Sequence, residues 1–299
     1  MVTMENQAAA PVSKRKHIRT FFSLTFIFSW LVWGAIILFK PAEDLILPLI
    51  FLGAFGPTFV AIYLVQRYGS SAEKLDFWKR VGSFTRINWK WYLFILLIFP
   101  AILFIGYPVY SLLGGEVPSA DAFTGGIETP TDFIFLLSIM LLGGPLAEEL
   151  GWRGYALDPL QQKWGPIKAS IVLGIIWVAW HLPLFFIEGT SQHAKGFGVA
   201  FWSWSFQIVA ISIIFTWVYN NTRRSILAAV LLHLMANMAY PTNLDPLGEA
   251  IFTAVRLLIV LAIIIPWIQK PKPEEKRSTV AIDATLPGLP LPDAALKNG

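Results

Sequence analysis

Two adjacent carboxylates and an arginine, Glu148, Glu149 and Arg153, close an apolar run from Phe133 to Leu146 that is long enough to lie in a bilayer. Ionisable side chains at that depth cost roughly 2.5–3.5 kcal/mol each, so they mark a functional site by default. Adjacent residues on a helix point about 100° apart, so the two glutamates cannot share one role. Glu149 and Arg153 are four apart, on one face, where carboxylate and guanidinium pair and offset each other's burial. Glu148 looks into another sector, with no cation near it in sequence. Two later apolar stretches carry polar groups at similar depth: His181 in Trp-His-Leu-Pro, and His233 with Asn237 one turn on. Counted at 1.5 Å per residue from the basic side, His181 lies ~20 Å deep and the His233–Asn237 pair ~12–18 Å. A carboxylate, two imidazoles and a carboxamide can activate water and stabilise an oxyanion. Glu148, His181 and His233 can equally hold a divalent metal such as zinc.

Such residues need helices to carry them. Of the 299 residues, 56% are hydrophobic and 14% charged, which is far from a soluble composition. Eight apolar stretches, at 20–39, 45–65, 91–113, 132–151, 168–187, 197–219, 225–241 and 250–268, each approach the ~20 residues a crossing needs. The expected fold is all-α, a polytopic membrane helical bundle of about eight transmembrane helices with both termini cytoplasmic. With the N-terminus inside, all of the 23 basic residues except Lys40, Lys195 and Arg256 fall on the cytoplasmic side. That asymmetry is the positive-inside pattern. Arg256, in the last stretch, is expected to pair with Glu249 or to snorkel. Trp30, Trp89, Trp91, Trp164, Trp202 and Trp267 lie near stretch ends, where indoles anchor at headgroups.

The chain divides into a basic cytoplasmic tail (1–19), one membrane domain (20–268) and a Pro-, Lys- and Glu-rich disordered cytoplasmic tail (269–299). No nucleic-acid partner is expected, because the basic residues are dispersed over membrane-flanking loops. The absence of cysteine excludes disulfides, thiolate metal sites and a cysteine nucleophile. The sequence gives no sign of an oligomeric state.

The ordered set Glu-Glu-x-x-x-Arg, Trp-His-Leu-Pro and His-x-x-x-Asn on eight apolar stretches resembles the CPBP family of intramembrane proteases, the type II CAAX prenyl protease-like or ABI family. The motifs cover about residues 130–240. The resemblance implies roles position by position. Glu148 is the general base on water, His181 helps hold that water, and His233 with Asn237 forms the oxyanion hole. Glu149 and Arg153 support them. It leaves a metallo- and a glutamate-type mechanism both open, with Glu148, His181 and His233 as the ligands in the first. Family members often carry Phe where this chain has Trp177.

The expected function is therefore hydrolysis of a peptide bond in a membrane-associated or prenylated-like protein or peptide, from the cytoplasmic side of the cell membrane, by a multi-pass enzyme. The bilayer and a protein or peptide substrate are its expected partners. The alternative is a non-catalytic membrane scaffold or regulator on the same fold, for example in peptide or bacteriocin immunity. A transporter is disfavoured, since no pseudo-repeat pairs two broken helices.

Overall fold

Long apolar runs with their polar backbone bonded internally can only be helices in a bilayer, and every element found here is helical. The computed structural model describes residues 17–119, 127–239, 241 and 244–269. The predicted C-terminal tail, most of the N-terminal one and the middle of the 114–131 loop lie outside the described residues.

Twelve α-helices follow one another among the described residues: α1 (Ile18–Phe39), α2 (Glu43–Ala54), α3 (Gly56–Tyr68), α4 (Ser71–Gly82), α5 (Trp89–Leu112), α6 (Pro130–Leu141), α7 (Ala147–Gly151), α8 (Leu157–Trp180), α9 (Ser191–Lys195), α10 (Val199–Asn221), α11 (Ile226–Met238) and α12 (Pro246–Gln269). Helix α6 starts at a capping box in which Thr129 and Asp132 satisfy each other's backbone N–H. Helix α4, started by the same device at Ser70 and Glu73, lies in the basic loop.

Helices stand at all eight expected places. By length and apolarity, five helical runs qualify as membrane spans, or six with the pair α2–α3. One of the five, Pro130–Phe186, is 57 residues long. At ~1.5 Å per residue it would reach ~85 Å, far beyond a ~30 Å hydrocarbon core. It breaks at Gly165, whose φ of 74° and ψ of 168° are not helical. The expected stretches 132–151 and 168–187 lie on either side of that break. Helix α11, with 13 residues, is short for a crossing.

The expected single stretch 45–65 is two helices meeting at 41°. The cause is local. Pro57 has no N–H to give to the carbonyl of Gly53 four residues back. Ser29 Oγ of α1 donates to that carbonyl instead, at 2.7 Å. A β-carbon on Gly56 would lie 2.2 Å from the same hydroxyl, so only glycine allows α1 this close.

Helix α10 packs between α8 and α12, and α3 packs on α7. The outer faces are apolar: Phe104 is 81% exposed and Leu112 85%. Such surface suits lipid, not water. Arg256 departs from its expected snorkelling, being 1% exposed with Nη1 donating to the Phe252 carbonyl. Glu249 takes Lys195 at 3.6 Å, together with Ser203 and Gln207. Trp30 does more than anchor, since its Nε1 donates to the Trp180 carbonyl of α8 at 3.0 Å.

Candidate active site

The helix that carries the two glutamates is irregular on both sides. Wide π-type turns, Leu142–Leu146 and Trp152–Ala156, flank the five-residue α7. Pro145 cannot donate within the first turn, and such turns recur at functional sites. Thr58 Oγ1 of α3 donates to the Leu146 carbonyl at 2.8 Å, holding the backbone immediately before α7.

Glu149 and Arg153 pair as their spacing predicts. Arg153 Nη1 lies 3.0 and 3.1 Å from the two Glu149 oxygens, and neither residue has exposed surface. The guanidinium lies against both Trp177 and Phe215, 4.7 and 4.3 Å from their ring centres. Its Nη2 also reaches Ser212 Oγ at 3.5 Å. Glu149 Oε1 has a second partner, His233 Nδ1 at 2.8 Å. A carboxylate only accepts, so His233 carries its proton on Nδ1. His181 is fixed the same way: its Nδ1 is 2.7 Å from the Trp177 carbonyl oxygen. Each ring thus keeps a proton on Nδ1, and each Nε2 is left for chemistry.

Glu148, 4% exposed, is satisfied by indoles rather than by a cation. Trp177 Nε1 donates to Oε2 at 2.5 Å and Trp152 Nε1 at 3.3 Å. The rings of His181 and His233 stand 6.0 and 5.4 Å from that of Trp177. Trp180 and Trp204 enclose His181 further, at 4.7 and 5.4 Å. Asn237 is the exposed member of the set. It meets the site across Gly144. A β-carbon built there would lie 3.1 Å from Asn237 Nδ2 and 3.2 Å from His233 Nε2. Because residue 144 is glycine, the two nitrogens can both pack close against its backbone, near enough to one another for a single oxygen to reach both. The six predicted residues therefore form one cluster, with Trp177 at its centre and Asn237 at its edge.

The Type II CAAX prenyl endopeptidase Rce1-like family model matches residues 130–239, the stretch that holds all six. Over 258 residues the chain is 32% identical to CAAX prenyl protease 2 of Methanococcus maripaludis, covering 83% of this chain and 93% of that relative. The chain belongs to the type II CAAX prenyl endopeptidase family. This member of the family is, by its apolar helices, a multi-pass membrane protein.

Three residues of this CAAX endopeptidase-family site escaped the sequence reading. Trp152 stands four after Glu148, the same spacing that identified the Glu149–Arg153 pair. A tryptophan in an apolar stretch reads first as packing, and that hid it. Trp177 was noted only for its departure from Phe. Gly144, whose spacing carries no signal of its own, lets His233 and Asn237 approach its backbone together because it has no side chain.

Whether the site suits a metal follows from its geometry. Among the described residues no group of three or more His, Asp or Glu side chains is placed to hold a metal ion. In this arrangement the described residues do not fit a metal centre.

Proposed function

We propose that this protein is an intramembrane endopeptidase that hydrolyses a peptide bond in a membrane-associated or prenylated-like protein or peptide from the cytoplasmic side of the cell membrane. Family membership supports the reaction class. The observation that supports the mechanism is the approach of His233 Nε2 and Asn237 Nδ2 to the same glycine, Gly144, which puts two nitrogens close enough for one oxyanion to meet both.

In the proposed reaction Glu148 takes a proton from a water held with His181. The water oxygen bonds to the scissile carbonyl carbon. The carbonyl oxygen becomes an oxyanion beside His233 Nε2 and Asn237 Nδ2, and Asn237 Nδ2 donates to it. His233 donates from Nε2 as imidazolium, with its Nδ1 held by Glu149. The intermediate then collapses, the carbon–nitrogen bond breaks, and Glu148 returns the proton to the leaving amine. Glu149 and Arg153 support this by fixing His233. The CAAX prenyl protease relative favours a substrate near a prenylated C-terminus.

The topology proposed with it has eight crossings, 20–268 as one membrane domain, and both tails in the cytoplasm. It counts α2–α3 as one bent crossing, Pro130–Phe186 as two around Gly165, and α11 as a short one. The basic residues support this orientation.

Terminal-peptide mass spectrometry on cells expressing wild type, Glu148→Ala or His233→Ala at matched levels tests the function. New termini confined to the wild type are expected and would name the substrate. Identical termini in all three, while a cellular phenotype still depended on the protein, would put the scaffold reading first. The metallo-type alternative requires Glu148, His181 and His233 to converge. Metal analysis of purified protein, with turnover measured under chelation, separates it from the glutamate type.

A further inference from the structure

The two oxygens of the Glu148 carboxylate are treated differently. Both indole N–H groups, from Trp152 and from Trp177, go to Oε2. They arrive from different elements, one from the wide turn after α7 and one from α8, a turn before His181. A carboxylate at the end of a glutamate otherwise rotates broadly about its last torsion. Two donors on one oxygen fix that rotation and leave the lone pairs of Oε1 unspent.

Trp177 is itself held. Its ring meets His233 and Phe215 edge-on at 5.4 and 6.0 Å, Arg153 lies over it at 4.7 Å, and its carbonyl accepts from His181. One residue thus touches Glu148, His181, His233 and Arg153. The indole is 3% exposed, so water does not compete for its N–H.

We propose that Trp177, assisted by Trp152, is a positioning residue that grips Glu148 by Oε2 and presents Oε1 to the attacking water. This rests on the reading of Glu148 as the base. A phenylalanine at 177 would fill much of the space but offer no N–H. The indole therefore contributes alignment at the proton-transfer step and little to substrate binding, so its loss should appear in kcat and not in KM.

The test has two arms. In the first, tryptophan is labelled with ¹⁵N in detergent-solubilised full-length protein. The Trp177 indole signal is assigned, among 13 tryptophans, by its absence in Trp177→Phe. In Glu148→Ala the Trp177 N–H resonance should move upfield, as for a lost charged acceptor. An unmoved resonance overturns the proposal.

The second arm measures turnover of a farnesylated CAAX peptide. Trp177→Phe and the sulfur isostere of tryptophan at 177, which keeps the ring shape without an N–H, are compared with wild type. Both should lose kcat by about 10- to 100-fold, as for one charge-assisted hydrogen bond, with KM within about twofold. Wild-type kcat in the isostere overturns the clamp even if Trp177→Phe is damaged by repacking. Glu148→Gln separates the failures. Full turnover there sinks the base role, and the clamp with it. Loss there, with normal kcat in the isostere, sinks the clamp alone. If wild type leaves the peptide uncleaved, that counts against the prenylated-substrate reading, and the resonance decides the clamp.

Discussion

Gly144 makes the sharpest residue-scale prediction. A methyl group there would sit 3.1 Å from Asn237 Nδ2 and 3.2 Å from His233 Nε2 and would push both nitrogens off the positions from which they are proposed to meet the oxyanion. Gly144→Ala should therefore lower kcat by about 100-fold, the range seen when an oxyanion donor is lost, and leave KM nearly unchanged. Gly143→Ala is the control, because its β-carbon would meet only the Phe51 ring, at 3.0 Å. Equal loss in both would mean that the wide turn, and not the placing of the two nitrogens, matters. At this scale spacing made much of the site legible. The i, i+4 rule places Arg153 on Glu149, and span depth brings His181 and His233 to the level of Glu148. What spacing could not reveal is which atom meets which. The same rule fits Glu148 with Trp152, yet indole N–H groups are polar donors inside apolar side chains. Composition counts them as hydrophobic.

At the scale of elements, the positions of the helices were readable because ~20 apolar residues are a physical requirement of a crossing. Their irregularities were not. The α2–α3 bend depends on a hydroxyl from α1, and the turn before α7 on a hydroxyl from α3. Both are tertiary donors to backbone carbonyls, and no local pattern announces them. Ser29→Ala should leave the buried Gly53 carbonyl without its donor and cost about 1–3 kcal/mol, read as a lower unfolding midpoint in detergent. An unchanged midpoint would mean that water or a shifted backbone replaces the hydroxyl. Arg256 shows the converse error. Its position near a helix end suggested snorkelling, but α12 buries it against Phe252.

At the scale of the whole molecule, the charges are sorted into separate networks. Asp158 gathers Arg80, Arg224 and Tyr219, tying α4, α8 and the end of α10 together. Glu249 and Lys195 tie α12 to α9. The proposed topology puts these on opposite faces of the membrane, and the cysteine-free sequence makes that easy to check. Ser71 and Ser191 are both exposed, at the starts of α4 and α9. Single cysteines at these positions should react with a membrane-impermeant maleimide from opposite sides, Ser71→Cys from the cytoplasm and Ser191→Cys from outside. Labelling from the same side would remove the eight-crossing topology.

The helical run Pro130–Phe186 has a consequence for how the protein is made. Trp152, Arg153 and Trp177, which satisfy the two glutamates, all lie in the same run as Glu148 and Glu149. A ribosome completes that run before α11, which brings His233 and Asn237, has been synthesised. The insertion machinery is therefore not required to release two bare carboxylates into lipid and wait. The hairpin around Gly165 can reach the bilayer with its charges already answered, and the oxyanion donors arrive later, on a helix that needs no such protection.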